Sequence, residues 1–311
     1  MPISTNTTRS FRLPALIGSI AVGMLASSAL AESSIRAAGQ PSAPAGEPAT
    51  TAPESQADLP SADSIFDKYL EVTGGLDAHL AHKTRLYTGT VEANPGDYFA
   101  LMTIGMKAPN QMMLRLEQPG STTETTYFDG QNAWIVDSRG NSGIIVGERL
   151  RNLAQSSQFH TIADYANFYD QRRQTIREIE INGRPAWHVE VTSIYRKPEA
   201  HYFDQETGLL IATDQIVQIP PAEEGAQPTA QVVRSLFSEY EEVDGVLMFT
   251  RIEQFQGESR STVRMSKIET NVADFPSMEK PQEVIATLER FEAAREAQAE
   301  GGESPEPNTG G

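Results

Sequence analysis

Histidine is the residue of this chain best suited to acid–base or metal chemistry, and the chain has five of them. His79 and His82 lie three residues apart near the end of a predicted helix, with Asp77 close by. That spacing would place two imidazoles on one helix face as metal ligands. Histidines near a helix end are far more often held there by the helix dipole. We therefore interpret this pair as structural and predict no bound metal.

His188 and His201 form the second arrangement with chemical potential. They lie on two predicted strands joined by the hairpin "HVEVTSIYRKPEAHYF". With Glu190 or Asp204, an imidazole and a carboxylate at this hairpin would make a weak hydrolytic site. A cross-strand polar pair on the outer face of the sheet is the ordinary explanation. A hydrolase is therefore the least favoured function for this chain.

Sequence motifs of the common catalytic and cofactor sites are absent. The chain has no G-x-S-x-G elbow, no H-E-x-x-H helix, no P-loop and no G-x-G-x-x-G fingerprint. It also has no cysteine, which excludes disulfides, thiolate metal sites and a cysteine nucleophile. Asp129 and Asp204 stand in matching turns, where Asx hydrogen bonding accounts for them. We predict that the protein is not an enzyme and has no catalytic residue, cofactor or metal.

Apolar side chains at alternate positions of two neighbouring strands are the strongest candidate for a binding surface. Alternation places them on one face of the sheet, and they are Met102, Ile104, Met106, Met112, Leu114 and Leu116. Four of the nine methionines lie between Met102 and Met113, and methionine suits surfaces that accept apolar ligands of varying shape. Filling of a core is the commoner explanation. The functional alternative is an apolar lining for a lipid or an acyl chain.

Short strands make up most of the segment that carries this face. Runs such as "RLYTGTVEA", "YFALMTIGM" and "VLMFTRIEQF" are separated by turn signals, including Asn94-Pro95-Gly96 and Asp244-Gly245. One helix precedes the strands, a helical insert after Gly147 splits them, and a last helix starts near Pro281. We predict a mainly β fold with flanking helices. It is a strongly curved antiparallel sheet, or half-open β-barrel, of about ten or eleven strands closed by helices.

Two hairpin motifs carry a family resemblance. They are "YFDQETGLL" from Tyr202 to Leu210 and "YEEVDGV" from Tyr240 to Val246. With these motifs and the order of its elements, the segment from Ser61 to Lys267 resembles the LolA/LolB-like superfamily of outer-membrane lipoprotein-sorting proteins. The resemblance implies a half-open barrel with an apolar cavity for acyl chains. The long tether and the acidic C-terminal segment depart from the classical carriers, and the resemblance assigns no functional residue.

The ends of the chain differ in composition from its middle. Residues 1–31 combine Arg9 and Arg12 with an apolar stretch and an "ALA" cleavage site, the pattern of a secretory signal peptide. We expect cleavage after Ala31 and a periplasmic or secreted protein; an uncleaved membrane anchor is the alternative. Without cysteine the protein would not be a lipoprotein. Residues 32–60 are a Pro/Ala-rich linker, 61–299 the curved-sheet domain and 300–311 an acidic tail, with linker and tail predicted to be disordered.

The net charge narrows the choice of partners. A formal charge of -17 at pH 7 argues against nucleic acid and against anionic membrane surfaces. We predict an exported cell-envelope protein that is not transmembrane after signal cleavage. It would bind a lipid or the acyl chains of a lipoprotein, and it could serve as a carrier of that ligand. The alternative is a non-enzymatic envelope scaffold or assembly factor that binds a protein partner through its outer surface.

Overall fold

A computed structural model describes residues 59–94, 96–121, 123–219 and 229–300. The predicted signal peptide, nearly all of the linker and residues 301–311 lie outside these described residues. The helices are α1 (Ala62–Val72), α2 (Gly75–Ala81), α3 (Gly147–Ser156), α4 (Tyr165–Phe168) and α5 (Gln282–Glu300). The strands are β1 (Thr84–Ala93), β2 (Tyr98–Lys107), β3 (Gln111–Glu117), β4 (Thr123–Phe128), β5 (Ala133–Asp137), β6 (Ser142–Ile145), β7 (Gln174–Ile181), β8 (Arg184–Thr192), β9 (Pro198–Asp204), β10 (Leu210–Ile219), β11 (Thr229–Val243), β12 (Val246–Gln256) and β13 (Ser259–Thr270).

These strands form one antiparallel sheet of thirteen strands in the order β6-β5-β4-β3-β2-β1-β13-β12-β11-β10-β9-β8-β7. The sheet is curved but unclosed, since the edge strands β6 and β7 do not pair with each other. The predicted mainly β fold with a half-open barrel is confirmed. The strand count exceeds the predicted number of about ten or eleven. Strand β6, "SGII", has only four residues and is too short to show an alternating pattern.

The inner face of β2 and β3 belongs to the main apolar core. The register pairs Met102 with Leu116, Ile104 with Leu114, and Met106 with Met112. Directly opposite residues of an antiparallel pair share a face, so these six side chains lie on one side of the sheet. Leu114 is half-buried and packs against the core, whereas the other five are buried within it. The alternation in the sequence therefore identifies the inward face of both strands.

Helix α1 covers part of this inner face. The Ser61 side chain caps the helix by accepting a hydrogen bond from the backbone N–H of Ser64 at 3.1 Å, the role that its residue type favours. Phe66 is fully buried. Its ring lies 4.8 Å from the Tyr165 ring and 5.2 Å from the Phe203 ring, measured between centroids. This aromatic contact joins α1 to both the insert and the sheet.

The helical insert connects the two edges of the open sheet. Strands β6 and β7 are consecutive in the chain but occupy opposite edges, so residues 146–173 cross from one edge to the other. On the way, the backbone N–H of Phe159 donates to the carbonyl of Pro109, between β2 and β3, at 3.1 Å. The Tyr165 hydroxyl donates to the Asp67 carboxylate of α1 at 2.7 Å. The insert and α1 therefore cover the inner face together.

The C-terminal helix α5 starts beside the β6 edge. The Ser142 hydroxyl donates to the Glu283 carboxylate at 3.3 Å, and Val284 is buried. Phe291, further along the helix, is exposed. The start of α5 therefore docks at the sheet edge.

No helix within the described ranges combines the length and the apolar character needed to cross a bilayer.

Candidate ligand-binding cavity

A cavity of about 230 Å³ lies between the inner face of the sheet and the elements that cover it. Its lining comes from α1, α2, β1 and β2 on one side, from the insert above, and from β9 to β12 on the other side. The cavity lies there because the insert, on its way from one edge of the sheet to the other, crosses the concave side. A concave site with apolar walls and a few polar groups is the usual form of a small-molecule site.

Aromatic and branched apolar side chains form one wall of the cavity. Phe168 comes from the insert, Leu210 from β10, Phe237 from β11 and Phe249 from β12. The rings of Phe237 and Phe249 lie 4.6 Å apart between centroids. The Tyr240 hydroxyl donates to the carbonyl of Leu210 at 2.6 Å and fixes the start of β10. Such a wall would bind hydrocarbon through the apolar area that it buries.

The predicted lining residues only partly coincide with this cavity. Met106 lines it. The other five are core residues or pack against the core, and they do not belong to the lining of this cavity. The difference arises because α1 and the insert cover the sheet unevenly and leave space towards β9–β12 rather than towards β3. The role of the six side chains as a ligand lining stays a prediction, with Met106 as the member in contact with the space.

A buried polar network lies at the insert side of the cavity. The carboxylate of Glu199 accepts hydrogen bonds from Nε2 of His201, at 3.0 Å, and from the Gln155 amide. The Ser193 hydroxyl donates to the Gln155 carbonyl oxygen at 3.2 Å. Tyr169 lies beside the pair, with its hydroxyl 3.5 Å from His201 Nε2, and burial raises the pKa of Tyr169 well above its ordinary value. These contacts satisfy the Glu199 carboxylate within the protein.

Arg85 places a second polar group at the cavity, on the side of α2. Its guanidinium carbon lies 4.5 Å from the centre of the Phe159 ring, a cation–π contact. Nε and Nη2 of Arg85 are buried and have no hydrogen-bond acceptor among the described residues. Burial, followed by the charge of Arg85, lowers the pKa of His79 to about 4. The same two causes, in the same order, lower the pKa of His160.

The strand register contradicts a joint site for His188 and His201. His188 is opposite Tyr202, whereas His201 is opposite Val189. Adjacent positions on a strand point to opposite faces, so His201 faces the cavity and His188 faces outward against the Tyr202 ring. The expectation that both lie on the outer face is therefore wrong for His201. The hydrolytic arrangement built on the two histidines is not formed.

His79 and His82 each make a hydrogen bond within the protein. His79 Nε2 lies 3.0 Å from the Thr73 hydroxyl, and His82 Nε2 lies 3.2 Å from the carbonyl of Asp244. No cluster of three or more histidine and acidic residues suited to a metal ion occurs in the part of the chain that the structure describes. Asp129 and Asp204 accept backbone N–H hydrogen bonds in their turns, as their residue type predicts.

Arg85 and Glu199 are cavity residues that no sequence motif predicts. A signal for both is nevertheless present in the strand alternation. Arg85 shares its face with Tyr87 on β1, and Glu199 shares its face with Phe203 on β9. Charged residues are almost never buried without a partner. A charged residue at an inward position of a strand therefore marks the site.

Comparisons with known proteins give a likeness to solved structures only. No protein-family model matches the chain, and no curated protein matches it. The chain is similar to a DUF1329 family protein from Desulfovibrio piger, with 13% identity and a TM-score of 0.49 over 71% of this chain and 98% of that one. It is similar to a LolA superfamily protein from Nitrosomonas europaea, with 14% identity and a TM-score of 0.47 over 70% and 96% of the two chains.

A third similar structure is a domain assigned to an outer membrane lipoprotein-sorting protein from Vibrio parahaemolyticus. It has 9% identity and a TM-score of 0.46, over 72% of this chain and 96% of that one. The names of the second and third structures belong to the group that the hairpin motifs resemble.

Proposed function

We propose that this protein is an exported cell-envelope protein that binds the hydrocarbon part of a lipid or of a lipoprotein acyl chain in the cavity. The supporting observation is the apolar wall of Phe168, Leu210, Phe237 and Phe249 beside an internal space. Affinity would come from apolar area removed from water, at about 25 cal/mol per Å². Binding would therefore depend on chain length more than on polar detail.

The volume of the cavity limits what it holds. An apolar cavity of about 150 Å³ binds benzene, whereas sites for drug-sized ligands start at about 300 Å³. At about 230 Å³, this cavity takes a short hydrocarbon segment as it stands. A longer acyl chain would extend out of this space or displace the insert from the sheet, and displacement of the insert would also let a carrier load and release its cargo.

Export is part of the proposal and has its own test. The basic start, apolar stretch and "ALA" site of residues 1–31 support it. Amino-terminal sequencing of the mature protein from its own envelope should begin at Glu32. A chain that keeps residues 1–31 in the membrane fraction would instead be an anchored protein.

Ligand binding is tested by fluorescence titration of the full mature chain with a neutral long-chain alcohol that carries a fluorophore. We expect saturable binding at one site per chain, with competition by unlabelled alcohol that strengthens with chain length. Phe237→Ala removes a ring of the wall and should weaken binding. Absence of saturable binding at every chain length would contradict the proposal.

One surface feature favours the alternative of an envelope scaffold. Ile216 and Val232 lie directly opposite each other on β10 and β11, and both are 54% exposed. Such a pair would contact a protein partner on the outer side of the sheet. If Ile216→Glu abolishes capture of one envelope protein while the titration finds no ligand, the scaffold function replaces the carrier function.

A further inference from the structure

Arg85 has an unusual electrostatic position in this cavity. Its Nε and Nη2 atoms are closed off from open space, and neither has an acceptor among the described residues. No ion pair involving Arg85 is found within those residues, while the Glu199 carboxylate of the same cavity is bonded to Gln155 and His201. Arg85 as a whole is half-buried, but leaving buried N–H donors without an acceptor is unfavourable. The arrangement therefore favours an occupant that brings acceptor oxygens.

The two unpartnered nitrogens form one edge of the Arg85 guanidinium. The same edge of another arginine, Arg234, shows which partner such an edge binds. Nε of Arg234 donates to one oxygen of Asp214 at 2.7 Å, and Nη2 donates to the other at 2.6 Å. A side-on pair of N–H donors matches the two oxygens of a carboxylate. The free edge of Arg85 has the same donor geometry as the filled edge of Arg234.

The residues around Arg85 are compatible with a ligand that carries one negative charge. The ring of Phe159, from the insert, lies over the guanidinium, so the insert forms one boundary of the site. Three histidines interact electrostatically with Arg85: His79, His82 and His160. Burial lowers the pKa of each, and the positive charge of Arg85 lowers it further. They are therefore neutral at pH 7, and Arg85 supplies the positive charge.

We propose that Arg85 binds the carboxylate of an amphiphilic ligand, with the hydrocarbon chain of that ligand lying against the apolar wall of the cavity. The ligand class is thus a monocarboxylic acid with a hydrocarbon tail. This inference rests on the proposed function and adds a polar anchor to it. The space between Arg85 and the wall formed by Leu210, Phe237 and Phe249 belongs to the same cavity, so one molecule can contact both.

The test compares ligands of one chain length that differ only in the head group. Dodecanoic acid, its methyl ester and dodecyl phosphate compete against the neutral fluorescent alcohol on the full mature chain at pH 8. We expect the wild type to bind the acid at least about tenfold more tightly than the ester. Arg85→Gln should remove this preference, so that the acid and the ester bind with equal affinity. Arg115→Gln, at an exposed arginine paired with Glu117, is the matched control and should keep the preference.

Arg85→Lys separates charge from geometry. Lysine keeps the positive charge but has no two-donor edge, so it should retain only part of the preference for the acid. Full retention in Arg85→Lys, or tighter binding of dodecyl phosphate than of the acid, would overturn the assignment to a carboxylate held side-on. Equal binding of acid and ester by the wild type would overturn the anchor and leave the apolar function intact. Binding of none of the ligands would overturn both.

A thermal readout addresses variants that lose binding for structural reasons. Arg85→Met removes two buried donors without acceptors but also the contact with the Phe159 ring, so its melting temperature should stay close to that of the wild type. Dodecanoic acid should raise the melting temperature of the wild type but have no effect beyond that of the ester on Arg85→Met. An equal stabilisation of wild type and Arg85→Met by the acid would contradict the anchor.

Discussion

Thr213→Phe is the most direct way to close the cavity without disturbing the fold. Thr213 lies on the inner face of β10, lines the cavity and is opposite His201 and Ser235 on the neighbouring strands. A phenyl ring is close in size to benzene, which occupies a cavity of about 150 Å³. If the new ring fills about 150 Å³ of the cavity of about 230 Å³, roughly 80 Å³ of space is left. This volume is too small for a hydrocarbon segment.

The same volumes set the expected stability of the variant. Filling empty apolar space recovers about 24 cal/mol per Å³, so 150 Å³ corresponds to at most about 3.6 kcal/mol. Imperfect fit of a larger side chain costs about 1–3 kcal/mol. The two effects oppose each other, and Thr213→Phe should have a free energy of unfolding in urea within about 3 kcal/mol of the wild type.

The assay is the titration with the neutral fluorescent alcohol, with Ile216→Phe as the matched control. Ile216 lies on the same strand but on the outer, exposed face, so its substitution adds a ring outside the cavity. We expect Thr213→Phe to lower affinity by at least about tenfold, or 1.4 kcal/mol, and Ile216→Phe to leave it unchanged. A folded Thr213→Phe protein with wild-type affinity would show that the ligand does not occupy this cavity.

Three further predictions concern stability. Phe66→Ala removes the buried ring that joins α1 to the insert and the sheet and should lower the free energy of unfolding by about 3–5 kcal/mol in urea; an effect below 1 kcal/mol would contradict that packing. Tyr240→Phe loses the hydrogen bond to the Leu210 carbonyl and should cost about 1 kcal/mol, whereas no loss would mean that the carbonyl finds another donor. Burial holds the His79 pKa at about 4, below its ordinary 6.5. Between these values the unfolded chain binds the extra proton, so stability should fall as the pH drops from about 6.5 to 4, by at most about 1.4 kcal/mol per pH unit. His79→Gln should flatten this dependence, and an unchanged slope would assign it to other groups.

The inner face of the sheet could be predicted from the sequence because it depends on local periodicity. Alternation on β2 and β3 identifies Met102, Ile104 and Met106 as inward, and the register with β3 agrees. The placement of the elements that cover this face could not be predicted in the same way. The cavity exists where α1 and the insert leave space, and their placement depends on long-range contacts such as Phe66 with Tyr165.

The error over His188 and His201 has a simple geometric cause. A shift of one residue in register moves a side chain to the other face of a sheet. The turn between β8 and β9 closes with the backbone N–H of Ser193 bonded to the carbonyl of Lys197 at 3.0 Å. This closure sets His188 opposite Tyr202 rather than opposite His201. The length of the turn was visible in the sequence, but its closing hydrogen bond was not.

Arg85 shows how a candidate site residue escapes motif-based prediction. It lacks the spacing to other residues that marks a catalytic or metal motif. Its interest comes from burial without an acceptor, which depends on the insert folding over β1. Only the inward phase of the strand indicates in advance that this arginine faces the interior.

The central claim is that hydrocarbon occupies the space between the insert and β10–β12. Native mass spectrometry of the full mature protein, purified gently from its own envelope, measures this directly. We predict one non-covalent adduct per chain, which organic extraction releases as a molecule with a hydrocarbon chain and which Thr213→Phe lacks. A wild-type protein without any adduct, even after incubation with a lipid extract of that envelope, would contradict the account.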